Sequence, residues 1–131
     1  MAVGVLSSVK VDSVAGSFSG VFTADGTPTA TFLGIGFKPR VIKMTQISGT
    51  PGNASQTLYH ESMAAASNVQ ITAAGALTIP STNGFTLYDG STVPAASPAA
   101  ASPTGAGGPG FTIGTGPQVT ASAAYLLEAY R

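Results

Sequence analysis

The chain lacks most of the side chains on which enzyme chemistry depends. Its 131 residues include no cysteine and no tryptophan, one histidine, five basic and five acidic residues. Without cysteine there are no disulfides and no thiolate metal ligands. Acid–base, nucleophilic and metal chemistry all need reactive groups brought together, and here these groups are scattered. We therefore expect a protein that packs against a partner, with no enzymatic activity, no cofactor and no small-molecule substrate.

The charge balance and the lack of long apolar runs restrict the partners further. The formal net charge is zero, so no basic patch is available to drive nucleic-acid binding by counterion release. Low net charge also favours association. No apolar run approaches the roughly 18 residues of a membrane span. Residues 1–14 lack the basic start and continuous apolar core of a signal peptide. We expect a chain made in the cytoplasm, with no nucleic-acid or membrane partner.

What the chain does contain is a period-two apolar pattern within a length that fits one domain, residues 1–131. Short runs rich in β-branched and aromatic residues are separated by Gly, Pro and Asn turn formers. The runs are 18–22, 30–37, 41–47, 57–61, 69–79, 84–88, 111–113 and 119–130. Many short strands with such turns predict an all-β fold, either an antiparallel β-sandwich or a jelly roll.

The first residues predict an N-terminal arm, residues 1–16. Val3, Val5, Val9 and Val11 share one parity, which would place them on one face of an extended strand. We expect this flexible arm to add a strand to the sheet edge of a neighbouring subunit, with Val3, Val5 and Val9 at the interface.

Two segments also fit helical structure. Residues 61–66 could form one helical turn, and residues 121–130 have helical propensity. The second segment, however, alternates without a break from Val119 to Ala129, so we predict a long terminal strand there.

Residues 93–110 form a low-complexity, uncharged segment of Ala, Pro, Ser and Gly. It cannot bury enough apolar surface to offset its own ordering entropy. Two interpretations stay open: a tolerated surface insertion, or an arm that becomes ordered on a neighbouring subunit. In the second interpretation Pro94, Pro98 and Pro103 are interface residues.

A short internal echo brackets this segment. Residues 84–87 (Gly-Phe-Thr-Leu) and 110–113 (Gly-Phe-Thr-Ile) share a pattern. We predict that each begins a strand in which the glycine relaxes the backbone and the phenylalanine anchors the core.

The titratable residues suggest no site. Neighbours in a strand point to opposite faces, so His60 and Glu61 are not expected to form a dyad. A structural or surface role is the better interpretation of His60. Asp25 and Asp89 each precede a glycine, where a turn explains them.

The basic residues Lys38, Arg40 and Lys43 lie around Pro39. They are explained either by protection of an edge strand through charge and proline or by contact with acidic groups of a partner. Arg131 is either a surface contact or without a role. We carry Lys38, Arg40 and Arg131 forward as candidate interface residues.

Four segments of the chain carry a family resemblance. Residues 32–44 (FLGIGFKPRVIKM), 58–63, 110–114 and 125–131 resemble a pattern in small structural proteins of tailed bacteriophages, in which a Gly-Phe-Lys-Pro-Arg turn opens an apolar strand. The resemblance implies a capsid decoration (cement) protein: a small sandwich or jelly-roll module, without catalytic residues, on the outer surface of the virion. The implied partner is the major capsid protein, and the implied state is a homodimer or homotrimer.

Two other functions remain open. A phage fibre or receptor-binding module that recognises a host surface glycan or protein would expose aromatic side chains, and Tyr59, Tyr88 and Tyr130 are the candidates. A small hydrolase is the third and least favoured.

Overall fold

The structure, a computed structural model, describes residues 4–12, 14–24, 30–33, 35–49, 54–72, 74–82, 84–88, 109–114 and 123–131. These residues form ten β-strands and contain no helix. The strands are β1 (Gly4–Asp12), β2 (Ser17–Ala24), β3 (Ala30–Leu33), β4 (Val41–Ser48), β5 (Ala54–His60), β6 (Val69–Thr72), β7 (Leu77–Thr78), β8 (Phe85–Tyr88), β9 (Gly110–Ile113) and β10 (Ala124–Tyr130).

The strands form two antiparallel sheets. The larger has seven strands in the order β1-β2-β10-β4-β5-β6-β7, and the smaller has three in the order β3-β9-β8. The prediction of an all-β antiparallel sandwich is confirmed. The paired strands β3 and β9 both lie, in sequence, between the paired strands β2 and β10. Strands β4 to β7 follow one another as a meander within the larger sheet. This meander distinguishes the fold from a jelly roll built of two Greek keys.

Aromatic rings join the two sheets. The ring of Phe32 in β3 packs against two rings of β2, with its centroid 6.5 Å from that of Phe18 and 5.4 Å from that of Phe22. Phe32 in turn packs on Phe111 of β9 at 5.3 Å. All four side chains are buried. Tilted and edge-on ring pairs at these distances add to the stabilisation from burial. The core therefore lies between the sheets.

The terminal segment is a strand, as the alternation predicts. Along β10, Tyr125, Leu127 and Ala129 are buried, whereas the residues between them are partly exposed. A helix would not produce this period-two burial. The strand pairs with β2 on one side and β4 on the other, so it occupies the middle of the larger sheet.

The expected N-terminal arm is, in its described part, an edge strand of the same domain. Gly4–Asp12 pairs along its length with β2, and residues 1–3 lie outside the described residues. The register shifts between Ser7 and Lys10, where Ser8 has a φ of 53°. Val5 therefore pairs with Thr23 and Val11 with Phe18.

Those two partners lie on opposite faces of β2, because they are five residues apart. The regular alternation that the sequence predicts along β1 is thus interrupted. The reason is the bulge, which inserts an extra residue and reverses the alternation.

The echoed segments are neighbouring strands. Phe85 of β8 pairs with Ile113 of β9, and Leu87 pairs with Phe111. Both phenylalanines are fully buried, as the pattern predicts. A Cβ at Gly84 would collide with the side chain of Asn68 and the carbonyl of Ser67. Glycine at this position is therefore required by close backbone approach.

Residues 61–66 form turns and not a helix. The backbone N–H of Met63 donates to the carbonyl of His60 at 2.9 Å, and that of Ser67 donates to Ala64 at 3.1 Å. Ala66 has a φ of 64°, which stops a right-handed helix from continuing. Among the described residues no helix is long and apolar enough to cross a membrane.

Candidate binding surface

The face of the larger sheet that points away from the core carries exposed apolar side chains. Leu58 of β5 is 38% exposed, Ile71 of β6 39% and Leu77 of β7 66%. Their register partners continue the same face: Lys43 pairs with Leu58, which pairs with Val69. We call the four-strand surface that contains these residues the outer apolar face. Contiguous apolar surface of this kind marks interaction sites more often than scattered exposed residues do.

A shallow pocket lies within the outer apolar face. Its volume is about 150 Å³. It is lined by Lys43, Gln56, Thr57, Leu58, Val69, Ile71 and Leu77. The strands place these residues together because Gln56 pairs with Ile71, and Ile71 with Leu77, beside the Lys43–Leu58–Val69 row. The pocket therefore spans four adjacent strands, β4 to β7.

Lys43 lines this pocket and forms no ion pair with its acidic cross-strand neighbour. Glu128 of β10 lies opposite Lys43, yet its carboxylate accepts a hydrogen bond from the Tyr130 hydroxyl at 2.5 Å. This hydrogen bond raises the pKa of Tyr130, and burial and the charge of Glu128 raise it further. Within the described part of the chain, the ion pair present is Arg40–Glu61, and Lys43 has none.

The candidate residues of the N-terminal strand lie at the edge of the larger sheet. Val9 is 37% exposed, and Val5 is within β1, paired with Thr23. Val3 lies outside the described residues. Among the described strands, β1 is hydrogen-bonded to β2 on one side and has no strand on the other. Addition of this strand to a neighbouring sheet stays a prediction, and the bulge at Ser8 interrupts the regular edge that such pairing uses.

Lys38 and Arg40 lie in the exposed loop before β4. β4 is paired with both β10 and β5, so the interpretation of these charges as protection of an edge strand is wrong. The Nε of Arg40 donates to Oε1 of Glu61 at 2.7 Å. The backbone N–H of Arg40 also donates to the carbonyl of Tyr130 at 2.7 Å, and the carbonyl of Arg40 accepts from the backbone N–H of Glu61 at 2.8 Å. Arg40 thus connects the ends of β10 and β5 within the chain.

Arg131 makes contacts within its own chain. Its backbone N–H donates to the carbonyl of Gly16 at 2.8 Å, and Nη1 donates to Val14 at 3.3 Å. Its guanidinium lies 5.7 Å from the centroid of the buried Phe37 ring, within cation–π range. Gly16 has a φ of +79°, and a Cβ there would collide with Arg131. A role of Arg131 toward a partner stays a prediction, as do the roles of Pro94, Pro98 and Pro103, which lie outside the described residues.

His60, Glu61 and Asp12 form local hydrogen bonds. Nδ1 of His60 accepts from the backbone N–H of Ser62 at 3.1 Å and lies 2.8 Å from its hydroxyl, while Glu61 binds Arg40. Asp12 accepts from the backbone of Val14 and Ala15 at 3.1 and 3.0 Å, which closes a turn. In the described ranges, His and acidic side chains form no group of three or more that could hold a metal ion.

The sequence alone does not mark Leu58, Ile71 and Leu77 as site residues. Each belongs to a segment that is predicted to be a strand, and each is apolar. Apolar alternation signals a core face, and both faces of β5 carry such residues, since Tyr59 is buried while Leu58 is exposed. The pattern alone therefore does not distinguish the covered face from the open one.

No family model matches the chain, and no curated protein or solved structure matches it either.

Proposed function

We propose that this chain is a virion structural protein that binds the outer surface of a capsid and stabilises contacts between subunits of the major capsid protein. The observation that carries the proposal is the outer apolar face. Leu58, Ile71 and Leu77 lie on one face of three neighbouring strands, with Ile71 directly beside Leu77 and diagonal to Leu58, and they are 38–66% exposed. When a partner removes such a surface from water, the binding free energy becomes more favourable by about 25 cal/mol per Å² of apolar area.

The arrangement of the sheet suits a bridging role. The outer apolar face occupies β4 to β7, whereas β1 forms the opposite edge of the same sheet. Seven strands at about 4.8 Å spacing make a sheet roughly 30 Å across. A module with one apolar face and, among its described strands, a separate sheet edge has two surfaces for two neighbouring capsid subunits. The resemblance of residues 32–44 and 125–131 to phage structural proteins points to the same partner.

Self-association is part of the proposal. A homodimer or homotrimer would multiply a weak contact through effective concentration, because each copy holds the others near their sites. Capsid surfaces are symmetric and present matching sites in groups. Copies joined to one another would therefore bind such a surface more tightly than single chains.

The test is co-sedimentation with empty heads of the tailed phage that encodes the chain. We expect the wild type to pellet with the heads and to raise their heat stability. The Leu77→Asp variant places a charge within the outer apolar face and should pellet at least about tenfold less, since about 1.4 kcal/mol of lost binding free energy suffices. The matched control is Val14→Asp, because Val14 is 89% exposed in a turn after β1 and should leave pelleting unchanged.

Failure of the wild type to pellet with heads would overturn the proposal. Pelleting with host envelopes instead would support the alternative, a fibre or receptor-binding module. That alternative is favoured less, because Tyr59 is buried and the Tyr130 hydroxyl is bound to Glu128. The side chain of the third candidate, Tyr88, lies outside the described part of the chain.

A further inference from the structure

We propose that the pocket on the outer apolar face binds a single apolar side chain of an extended protein segment, phenylalanine or leucine, with a carboxylate next to it. The proposal concerns the chemistry of the bound segment and goes beyond the assignment to a capsid. It holds whichever protein carries that segment.

The size of the pocket fits one side chain. A cavity of about 150 Å³ lined by aliphatic residues accepts a benzene-sized group, and this pocket has the same volume. Sites for free small molecules are larger, about 300–1,000 Å³, and enclose most of the ligand. The pocket therefore suits a side chain that is presented by a larger partner.

The walls of the pocket are mainly aliphatic. Leu58, Val69, Ile71 and Leu77 supply apolar surface from three strands. Thr57 also lines the pocket, although its side chain belongs to the buried face of β5. Burial of one large apolar side chain is worth about 1.5–3 kcal/mol, which makes this group the main source of affinity.

Two polar side chains at the pocket determine which polar groups of the bound segment are favoured next to its apolar side chain. Lys43 and Gln56 lie on adjacent strands at the side where β4 meets β5. An ammonium favours a carboxylate by charge-assisted hydrogen bonding, and an amide can both donate to and accept from a peptide backbone. None of the described residues that line the pocket is acidic.

The neighbouring acid does not form an ion pair with Lys43. Glu128 is the cross-strand partner of Lys43, but no ion pair joins them among the described residues, and the Glu128 carboxylate binds Tyr130. The Lys43 ammonium thus remains available to an incoming carboxylate. Since Lys43 is exposed, its ion pair with that group is expected to be modest, as for other surface pairs.

The experiment titrates the full-length protein with three capped peptides that are identical except at two central positions: Phe-Asp, Phe-Asn and Ala-Asp. Binding is followed by NMR through the methyl resonances of Leu58, Ile71 and Leu77. We expect the Phe-Asp peptide to shift these resonances. The Phe-Asn peptide should bind roughly two- to fivefold more weakly, and the Ala-Asp peptide at least about tenfold more weakly.

Two variants assign the charge preference. In the Lys43→Met variant, the affinity for the Phe-Asp peptide should fall to the affinity that the wild type has for the Phe-Asn peptide. The affinity for the Phe-Asn peptide should stay nearly unchanged. The matched control is Lys10→Met. Lys10 lies on the same face of the sheet as Lys43, in the same cross-strand row, which runs from Lys10 through Ser19 and Glu128 to Lys43. Its strand is three positions from that of Lys43, about 14 Å away. It should leave the ratio of the two affinities unchanged.

Three results would overturn the proposal. One is the absence of any methyl shift with the Phe-Asp peptide, and another is a shift confined to residues outside the pocket. The third is equal binding of Phe-Asp and Phe-Asn by the wild type, which would refute the carboxylate preference. Each is distinguishable from a failed capsid assay, because the peptides report on the pocket without any capsid.

Discussion

The two faces of the seven-stranded sheet are made by the same strands but differ in what covers them. On the inner face, Phe22, Tyr125 and Leu127 are 0–1% exposed beneath the smaller sheet, whereas Leu58 and Leu77 on the outer face are 38% and 66% exposed. Both sets are apolar. The difference shows that the stability of this domain and its capacity to bind a partner come from opposite sides of one sheet, so each can be altered separately.

The largest expected effect comes from the inner face. Phe32 packs on Phe18, Phe22 and Phe111 with centroids 5.3–6.5 Å apart. Phe32→Ala should lower the free energy of unfolding by about 3–5 kcal/mol, because the cavity lies between the two sheets. Urea denaturation measures the change, with Val14→Ala as an exposed control expected within about 0.5 kcal/mol of wild type. A loss below about 1 kcal/mol would contradict the role of this ring cluster as the link between the sheets.

A matched pair of leucines compares the faces directly. Leu127 is fully buried on the inner face, and Leu58 is 38% exposed on the outer face. Leu127→Ala should cost about 2–5 kcal/mol, whereas Leu58→Ala should cost about 1 kcal/mol, since only part of its surface is removed from water. Thermal unfolding of both variants provides the measurement. Equal costs would mean that the two faces do not differ in packing.

A smaller effect of opposite sign is expected at Tyr125. Its hydroxyl is buried and has no hydrogen-bond partner among the described residues. Tyr125→Phe should therefore raise the free energy of unfolding by about 1 kcal/mol, because a desolvated polar group is removed. Chemical denaturation at pH 7 tests this, and a destabilised variant would indicate that the hydroxyl is in fact bonded.

The same variant has a pH signature. Burial raises the pKa of Tyr125 above the unfolded value of 10.0, so the folded state retains its phenolic proton longer than the unfolded state. The stability contributed by this residue is complete below pH 10 and is lost as pH rises through the folded pKa. The alkaline loss of stability should be shallower in Tyr125→Phe. Part of it should persist, because burial also raises the pKa of Tyr59.

The smallest effect is expected beside the sheet, at the Arg40–Glu61 ion pair. Its side chains are 57% and 36% exposed, and pairs of this kind contribute about 0.2–1 kcal/mol. Glu61→Gln should lower stability by no more than that. Added salt should reduce the difference between variant and wild type, because screening weakens the pair. A difference that is independent of salt would assign the effect to packing.

The fold was largely predictable because its main signals are local. Alternation identified β2, β4 and β10, and the Gly-Phe echo identified the buried Phe85 and Phe111. The bulge in β1 was not predictable. Its left-handed residue is Ser8, and a serine there does not mark such a conformation as glycine would. The shift of register between Ser7 and Lys10 lies at that residue.

The candidate site was less predictable because it depends on pairing between distant segments. Lys43, Leu58 and Leu77 reach one pocket only through the register of four strands. The charges around Pro39 also suggested that β4 is an edge strand, an interpretation that depended on knowing its neighbours. Strand order is set by tertiary contacts, and a short run of residues does not encode which strand lies beside it.

The position of β10 has a consequence for how the protein is made. It follows the other strands in the chain, yet it lies between β2 and β4 and joins the β1–β2 hairpin to the β4–β7 meander. During synthesis these two parts have no hydrogen-bonded strand in common until residues 124–130 leave the ribosome. Until then, β2 and β4 each lack one strand partner. Their pairing with β10 joins residues that are far apart in sequence, and contacts of this kind form slowly. The larger sheet therefore keeps two unpaired inner edges, on β2 and β4, until β10 has been synthesised.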